Sequence, residues 1–411
     1  MISVEKAREE ILTRIGPVVT EWVGLMEGYG RVLAEPITAI RDQPPWDNSA
    51  MDGYAVRRSD LRGAMLEKPV SLEVIEDIPA GSLPKRKIGA GQSSRIMTGA
   101  PMPEGADAVI RVEDTRSAGR RVEALAPVVA GENIRPRGED FSAGSKILDR
   151  GRMIGAAEIG IAASAGLAGF SVYGRPRVSV LATGDELAEP GEEAGGGQII
   201  NSNSYALAAQ VVEAGGIPEI LGIAKDTPES LREKLRRAAS SDLVVISGGV
   251  SVGDFDFVKD VLSECGAVLN FWRVAMKPGA PMAYGTLREK PVFALPGNPV
   301  SAMVTFELFV RPLLKRMQGL TRIYRAVIEA VLAESYSKPA GKTHFLRAVL
   351  EKHGGRYSAR PVKNQSSGRL TSMTEADGLM IAPADALQLE AGGNVAVLLM
   401  NGGGDQDQPG Y

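Results

Sequence analysis

The spacing of apolar residues changes its rule three times along the chain. Over residues 4–15, Val4, Ala7, Ile11, Leu12 and Ile15 fall on one face at helical spacing, with Glu and Arg residues opposite. This predicts an amphipathic helix that Ser3 caps. From Asp47 to Val129 the apolar residues come in short runs, at 70–75, 93–97 and 108–112, broken by Gly and Pro. That pattern predicts a small β-rich insertion. A helical stretch over 156–165 returns the chain towards the first helix. Residues 1–46 and 139–175 then read as a discontinuous N-terminal linking domain around an insert at 47–138.

A different pattern begins at Arg177. Buried strands are predicted at 178–182, 217–223, 243–246, 268–272 and 292–295. They alternate with helices at 204–214, 228–240, 257–262 and 300–318. Such alternation implies a parallel α/β sheet covered on both faces, here over residues 176–319. After Gly319, strand-like segments at 326–332, 345–350 and 395–400 predict a C-terminal β-domain over 320–400, barrel-like in its short strands and turns. Residues 401–411, polar and glycine-rich, are expected to be disordered.

Composition narrows the function. The 411 residues carry 47 Lys and Arg against 50 Asp and Glu, a net charge of -3, with no long basic run. A nucleic-acid partner is therefore not expected. Cys265 is the one cysteine, so a disulfide framework or a cysteine-based zinc site within the chain is excluded. His344 and His353 match no zinc or triad spacing and read as ordinary surface residues. The N-terminus has no apolar signal core, and no run of about 18 apolar residues occurs. A soluble, cytoplasmic protein without a membrane partner is the expectation.

The candidate chemistry sits in loops. In an open α/β sheet, ligands bind outside the carboxyl ends of the strands. There the sequence places Glu186 after the first strand, Asp226 after the second, and Ser247-Gly248-Gly249-Val250-Ser251-Val252-Gly253-Asp254-Phe255-Asp256 after the third. Lys277 follows the fourth, and Pro296-Gly297-Asn298-Pro299 follows the fifth. Glycines let backbone amides approach a phosphate, and carboxylates hold the hard cation that travels with it. Asn298 suits a helix N-cap and Pro299 the first helical turn, so this helix is expected to point free N–H groups into the crevice. Glu186, Asp226, Asp254 and Asp256 are candidate magnesium ligands, though not all four together. The glycine spacing is neither a dinucleotide fingerprint nor a Walker A loop.

A second dense motif runs from Pro44 to Ala55 and contains Asp52. Polar turns at 96–101 and 137–140 accompany it. Together with the segments at 183–187, 247–256, 277–281, 295–299 and 365–373, these motifs resemble the MoeA family of molybdopterin molybdenumtransferases, which is related to the E domain of gephyrin. The resemblance spans nearly the whole chain. It implies a discontinuous linking domain, a β-rich insertion, a MogA-like α/β domain and a C-terminal β-domain. It also implies a homodimer with sites shared between subunits, and it is compatible with a MogA-type partner.

The implied reaction inserts molybdate into adenylylated molybdopterin, with Mg2+ as cofactor and AMP released. By the same resemblance, Asp52, Glu186, Asp226 and Asp256 take acid, metal or water-positioning roles, and Thr98 orients the transferred group. Gly248, Gly249, Ser251, Lys277, Pro296, Asn298 and Pro299 cradle phosphate or nucleotide. Glu186, Asp226 and Asp256 are the metal candidates, and Arg347 and Ser367 are the molybdate candidates. The chain departs from the family at Ala280, where a second basic residue is frequent, and at Arg273, where a lysine is common. Two alternatives stand beside this reading: a gephyrin-like scaffold without catalysis, and a hydrolase of another nucleotide diphosphate conjugate.

Overall fold

The structure, a computed structural model, describes residues 1–13, 15–250, 257–402 and 404–411, with only the backbone of Phe257. It divides into two compact units. One comprises Trp22–Ser171, the other Met1–Glu21 with Val172–Tyr411.

Helix α1 (Val4–Thr13) belongs to the second unit. Val4, Ala7, Ile11 and Leu12 enter the same apolar cluster as the α/β sheet. Its apolar stripe is covered by that core.

In the first unit, strands β1 (Gly53–Val56), β2 (Val70–Ile78), β3 (Gln92–Ile96), β4 (Ala108–Arg111), β5 (Thr115–Ala118) and β6 (Arg121–Ala124) form one sheet in the order β4-β1-β3-β2-β6-β5. Only β2 and β3 run parallel. Tyr54 and Val56 join one apolar cluster and Ala55 another, the period-2 alternation of a sheet with two covered faces. Helix α2 (Ala156–Ser164) completes this unit, where its periodicity predicted it.

The α/β part of the second unit runs β7 (Arg177–Thr183), α3 (Asn203–Glu213), β8 (Ile217–Ala224), α4 (Pro228–Arg237), β9 (Leu243–Ser247), α5 (Phe257–Glu264), β10 (Ala267–Phe271), β11 (Ala283–Leu287), β12 (Lys290–Leu295) and α6 (Pro299–Thr305). The strand order is β8-β7-β9-β12-β11-β10, and β11 alone runs against the others. Val178, Val180, Leu243, Val245, Phe293 and Leu295 face one cluster, while Leu181, Val244, Ile246, Val292 and Ala294 face the other. Strand β11 went unseen in the sequence. It is joined to β12 by Arg288 and Glu289, at φ 51° and 67°. A two-residue turn with both residues left-handed is normally announced by Asn or Gly, and here it is not.

Beyond α6 the helix continues through a π-helical segment, Phe306–Val310, into α7 (Arg311–Met317). Pro312 has no N–H for the usual bond four residues back, a physical reason for the turn to widen just before it. The C-terminal strands β13 (Val327–Leu332), β14 (Thr343–His353), β15 (Arg356–Pro361), β16 (Gly378–Ala382) and β17 (Asn394–Leu399) close into a five-stranded barrel, β14-β15-β13-β17-β16-β14. Short helix α8 (Thr371–Glu375) lies between β15 and β16.

The last residues correct the expectation of disorder. Asp405–Gln406 pairs antiparallel with Tyr324–Arg325. Asp405 forms ion pairs with Arg311 and Lys315, and Glu307 forms ion pairs with Arg311 and Arg325. Glu307 and Arg311 are buried. The ring of Tyr411 lies edge-on to Phe345 at 5.7 Å and under the Arg8 guanidinium at 4.4 Å. Burial pushes its phenol up to about 12. A polar tail is held because it supplies a carboxylate to Lys315 and a second one to Arg311, both of them buried cations. Asp405→Asn keeps the shape and removes that charge. It should lower stability by about 2–3 kcal/mol in urea unfolding; unaltered stability would show that the pair does not hold the tail.

Candidate active site

A cavity of about 550 Å3 opens at the carboxyl ends of β7 and β9. This is where the strand order reverses, since the chain leaves β7 for β8 on one side and then crosses to β9 on the other. Reversal points of this kind leave a crevice between neighbouring loops. Thr183, Glu186, Asp226, Gly248, Gly249, Asn298 and Pro299 are among its lining residues. Gly248 and Gly249 sit at φ 97° and 69°. A Cβ on Gly248 would stand 2.7 Å from the Thr183 carbonyl, and one on Gly249 would stand 2.2 Å from Val258. Both positions therefore require glycine, which keeps this wall bare backbone.

The acids gather at the mouth. Asp185 and Asp226 exchange backbone-to-carboxylate bonds, Asp226 N–H to Asp185 Oδ1 at 3.1 Å and Asp185 N–H to Asp226 Oδ2 at 3.4 Å. Loss of solvation raises the Asp226 pKa, with further push from the Asp185 and Glu186 charges. The Glu186 carboxylate folds back so closely that a Cβ on Gly184 would lie 2.4 Å from it. Ser251, Asp254 and Asp256 lie outside the described residues.

The expectation of a helix pointing free N–H groups into the crevice needs correction at α6. Pro299 has no N–H, and the Val300 N–H donates to the Ser367 carbonyl at 3.0 Å. The Asn298 side chain makes no capping bond. The start of α3, which sequence reasoning did not single out, lines the cavity opposite through Asn201, Ser202 and Asn203. Asn201 Oδ1 accepts from Ser204 N–H at 3.2 Å. The run Asn201-Ser202-Asn203 ahead of a helix is itself a cap signature, so a signal was present.

Lys277 and Pro296 do not line the cavity. Lys277 is exposed, and its strand register sets it beside His344. His344 is buried, against the reading of a surface histidine, and its Nδ1 meets the Tyr336 hydroxyl at 2.8 Å. Burial and the charges of Lys338, Lys277 and Lys342 push its pKa down to about 4. His353 is exposed, as expected.

Arg347 is 1% exposed. Its Nε donates to Ser372 Oγ at 3.1 Å and its guanidinium to the Ser366 carbonyl at 3.0 Å. Gln365 clasps its backbone through Oε1 and Nε2. Among the described residues no carboxylate pairs with it. Burial, and the nearby Arg369 charge, lower its pKa. Ser367 connects this corner to the start of α6 through the carbonyl contact with Val300.

Asp52 and Thr98 are brought together in the other unit, because β1 pairs antiparallel with β3 and sets Gly53 opposite Ile96. The Thr98 N–H and hydroxyl both donate to Asp52 Oδ1, each at 2.7 Å. Those two bonds, the backbone one first, hold the Asp52 carboxyl below its ordinary pKa. Gly53 cannot be replaced, since a Cβ there would meet the Ile110 carbonyl at 2.0 Å.

Comparison with known proteins agrees with this architecture. Residues 2–166 match the family model of the MoeA N-terminal region (domains I and II), residues 179–316 a probable molybdopterin binding domain, and residues 329–400 the MoeA C-terminal region (domain IV). A molybdopterin molybdenumtransferase from Nostoc sp. is 40% identical over 385 residues, 92% of this chain and 88% of the relative. Molybdopterin molybdenumtransferase 2 of Mycobacterium tuberculosis is 41% identical over 381 residues, 91% of this chain and 94% of the relative. The crystal structure of a molybdopterin biosynthesis MoeA protein from Pyrococcus horikoshii superposes with a TM-score of 0.86 at 34% identity, covering 98% of this chain and 100% of that one. With all three regions matched in order and relatives this similar over most of its length, the chain belongs to the MoeA family of molybdopterin molybdenumtransferases, enzymes of molybdenum cofactor biosynthesis.

Proposed function

We propose that the protein takes adenylylated molybdopterin and molybdate, inserts the metal and releases AMP. One observation carries this reading: the cavity at the strand reversal joins a bare glycine wall and the start of α3, which suit phosphate, to a rim of carboxylates, which suits a hard cation. Buried Arg347, with no acid beside it among the described residues, supports an anion such as molybdate at the Ser366–Ser367 corner.

Magnesium fits the donors at the rim. Among the described residues no group of three acids or histidines is arranged to hold a metal ion. Magnesium usually needs only one or two protein carboxylates, with phosphate oxygens and water completing its shell. Glu186 and Asp226 would hold it, with Asp256 the third candidate outside the described residues. Bound there, it would neutralise charge on the diphosphate and polarise the bond that breaks. Gly248 and Gly249 let the ligand approach the backbone closely. Arg347 and Ser367 hold the oxyanion. Asp52, kept ionised by Thr98, accepts a hydrogen bond from water and orients it. In a homodimer of the kind that the likeness to the MoeA family implies, the Asp52 of one subunit would serve the cavity of its partner.

The direct test incubates the purified protein with adenylylated molybdopterin, magnesium and molybdate and follows AMP. Molybdate-dependent release is expected, slowed about a hundredfold in Asp226→Asn. Release that ignores molybdate would reject the transferase chemistry, and full activity in the variant would reject the role of Asp226. A second test concerns Asp52. Thr98→Val removes one of its two donors and leaves the backbone N–H. The carboxyl pKa should rise part of the way to its ordinary value in an NMR titration. The acid limb of the pH–rate profile should move to higher pH with it, since the required ionised form is lost earlier as pH falls. An unmoved acid limb would show that Asp52 does not govern turnover.

A further inference from the structure

The amino end of the α/β sheet carries a second, smaller cavity, of about 60 Å3. Val244, near the start of β9, and Leu235 of α4 form its floor, with Cys265 beside them just after α5. Val244 and Leu235 belong to the apolar cluster on one face of the sheet, and half-buried Cys265 packs against it. Strand β9 runs from this cavity to the larger one, which Ser247 lines at its other end. An occupant here therefore leaves the larger cavity open.

The rim is cationic. Arg232, Arg236, Arg288 and Lys290 line the cavity, and no acid does. Arg232 is already matched, with Nη1 donating to Glu229 at 3.0 Å and Nη2 to Glu264 at 2.5 Å. Lys290 Nζ donates to the Ala239 carbonyl at 2.7 Å, which leaves its charge uncompensated. Arg236 and Arg288 are exposed and form no ion pair among the described residues. Arg288 is placed at the rim by the turn between β11 and β12, at a positive φ that a residue with a Cβ disfavours.

Size and charge together define what fits. Small-molecule sites usually run to roughly 300–1,000 Å3. This cavity takes one side chain and is too small for a nucleotide or a pterin. Its unmatched cations stand around the opening, where they reach groups outside it. One apolar side chain on the floor, with carboxylates on either side of it, satisfies both features.

We propose that this cavity docks an acidic segment of a partner protein, with one apolar side chain on the floor and flanking carboxylates on Arg236, Arg288 and Lys290. Exposed pairs of this kind govern encounter and selectivity more than affinity, so the docking is weak and salt-dependent. The proposal does not depend on what the larger cavity binds.

Cys265 is the one cysteine of the chain, so thiol labelling reports on this cavity alone. The test follows alkylation of the full chain by iodoacetamide, a neutral reagent, with and without the end-blocked peptide Glu-Asp-Leu-Asp-Glu. At low salt the saturating peptide should slow alkylation at least about threefold, and high salt should abolish the effect. Peptides with Gly for the Leu, or with Lys for each acid, should protect less. The double variant Arg236→Glu, Arg288→Glu should lose the protection at an unchanged melting temperature. An unprotected wild-type thiol, or equal protection in the double variant, would overturn the assignment. Equal protection by inorganic phosphate or by a uridine decanucleotide would also overturn it, in favour of a general anion or nucleic-acid site. So would a wild-type thiol that is shielded in concentrated protein and freed on dilution, which would give the surface to a second copy of the chain.

Discussion

Strands β7, β9 and β12 are buried on both faces, and that constraint governs the placement of everything polar around the sheet. Val178, Val180, Val245 and Phe293 fill one side and Leu181, Ile246 and Ala294 the other. A strand covered twice has no face on which to carry chemistry, so the polar residues are displaced to its ends. Because β8 and β9 flank β7 on opposite sides, the loops at the carboxyl ends diverge there and leave the cavity. The glycines at 248 and 249, the acids at 186 and 226 and the two helix starts are all consequences of that one divergence.

Two buried arginines show how burial separates structure from function. Arg311 is matched by Glu307 and Asp405, and the arrangement ties the end of the chain to the long helix. Arg347 is as deeply buried but is met only by a serine hydroxyl and a serine carbonyl among the described residues. A buried cation in the first setting is satisfied, and one in the second still favours an anion. His344 follows the same logic in reverse. Surrounded by lysines and out of water, it stays neutral and leaves the charge to them.

Much of this was legible in the sequence because period and length are local properties. The parallel strands, the helices between them and the inserted β-sheet follow from apolar spacing alone. Strand β11 was not legible, since Arg288 and Glu289 adopt left-handed conformations that their side chains do not announce. The ordered tail was missed because its partner cations lie about ninety residues away in sequence. The cap of α6 was read correctly as a helix start, but the use of its first free amide by Ser367 depends on tertiary contact. At the site, Glu186, Asp226, Gly248, Gly249, Asn298 and Pro299 line one cavity as their positions at strand ends implied. Asp52 and Thr98 form a pair that no sequence spacing suggests, because β1 and β3 meet across about forty residues of chain.

The central claim is that the cavity at the strand reversal holds the phosphate of an adenylyl group. A crystal structure of the protein with AMP and magnesium tests it most directly. The account predicts the phosphorus inside that cavity, facing the Gly248–Gly249 wall. Nucleotide density in the C-terminal barrel, with this cavity holding only water, would contradict it.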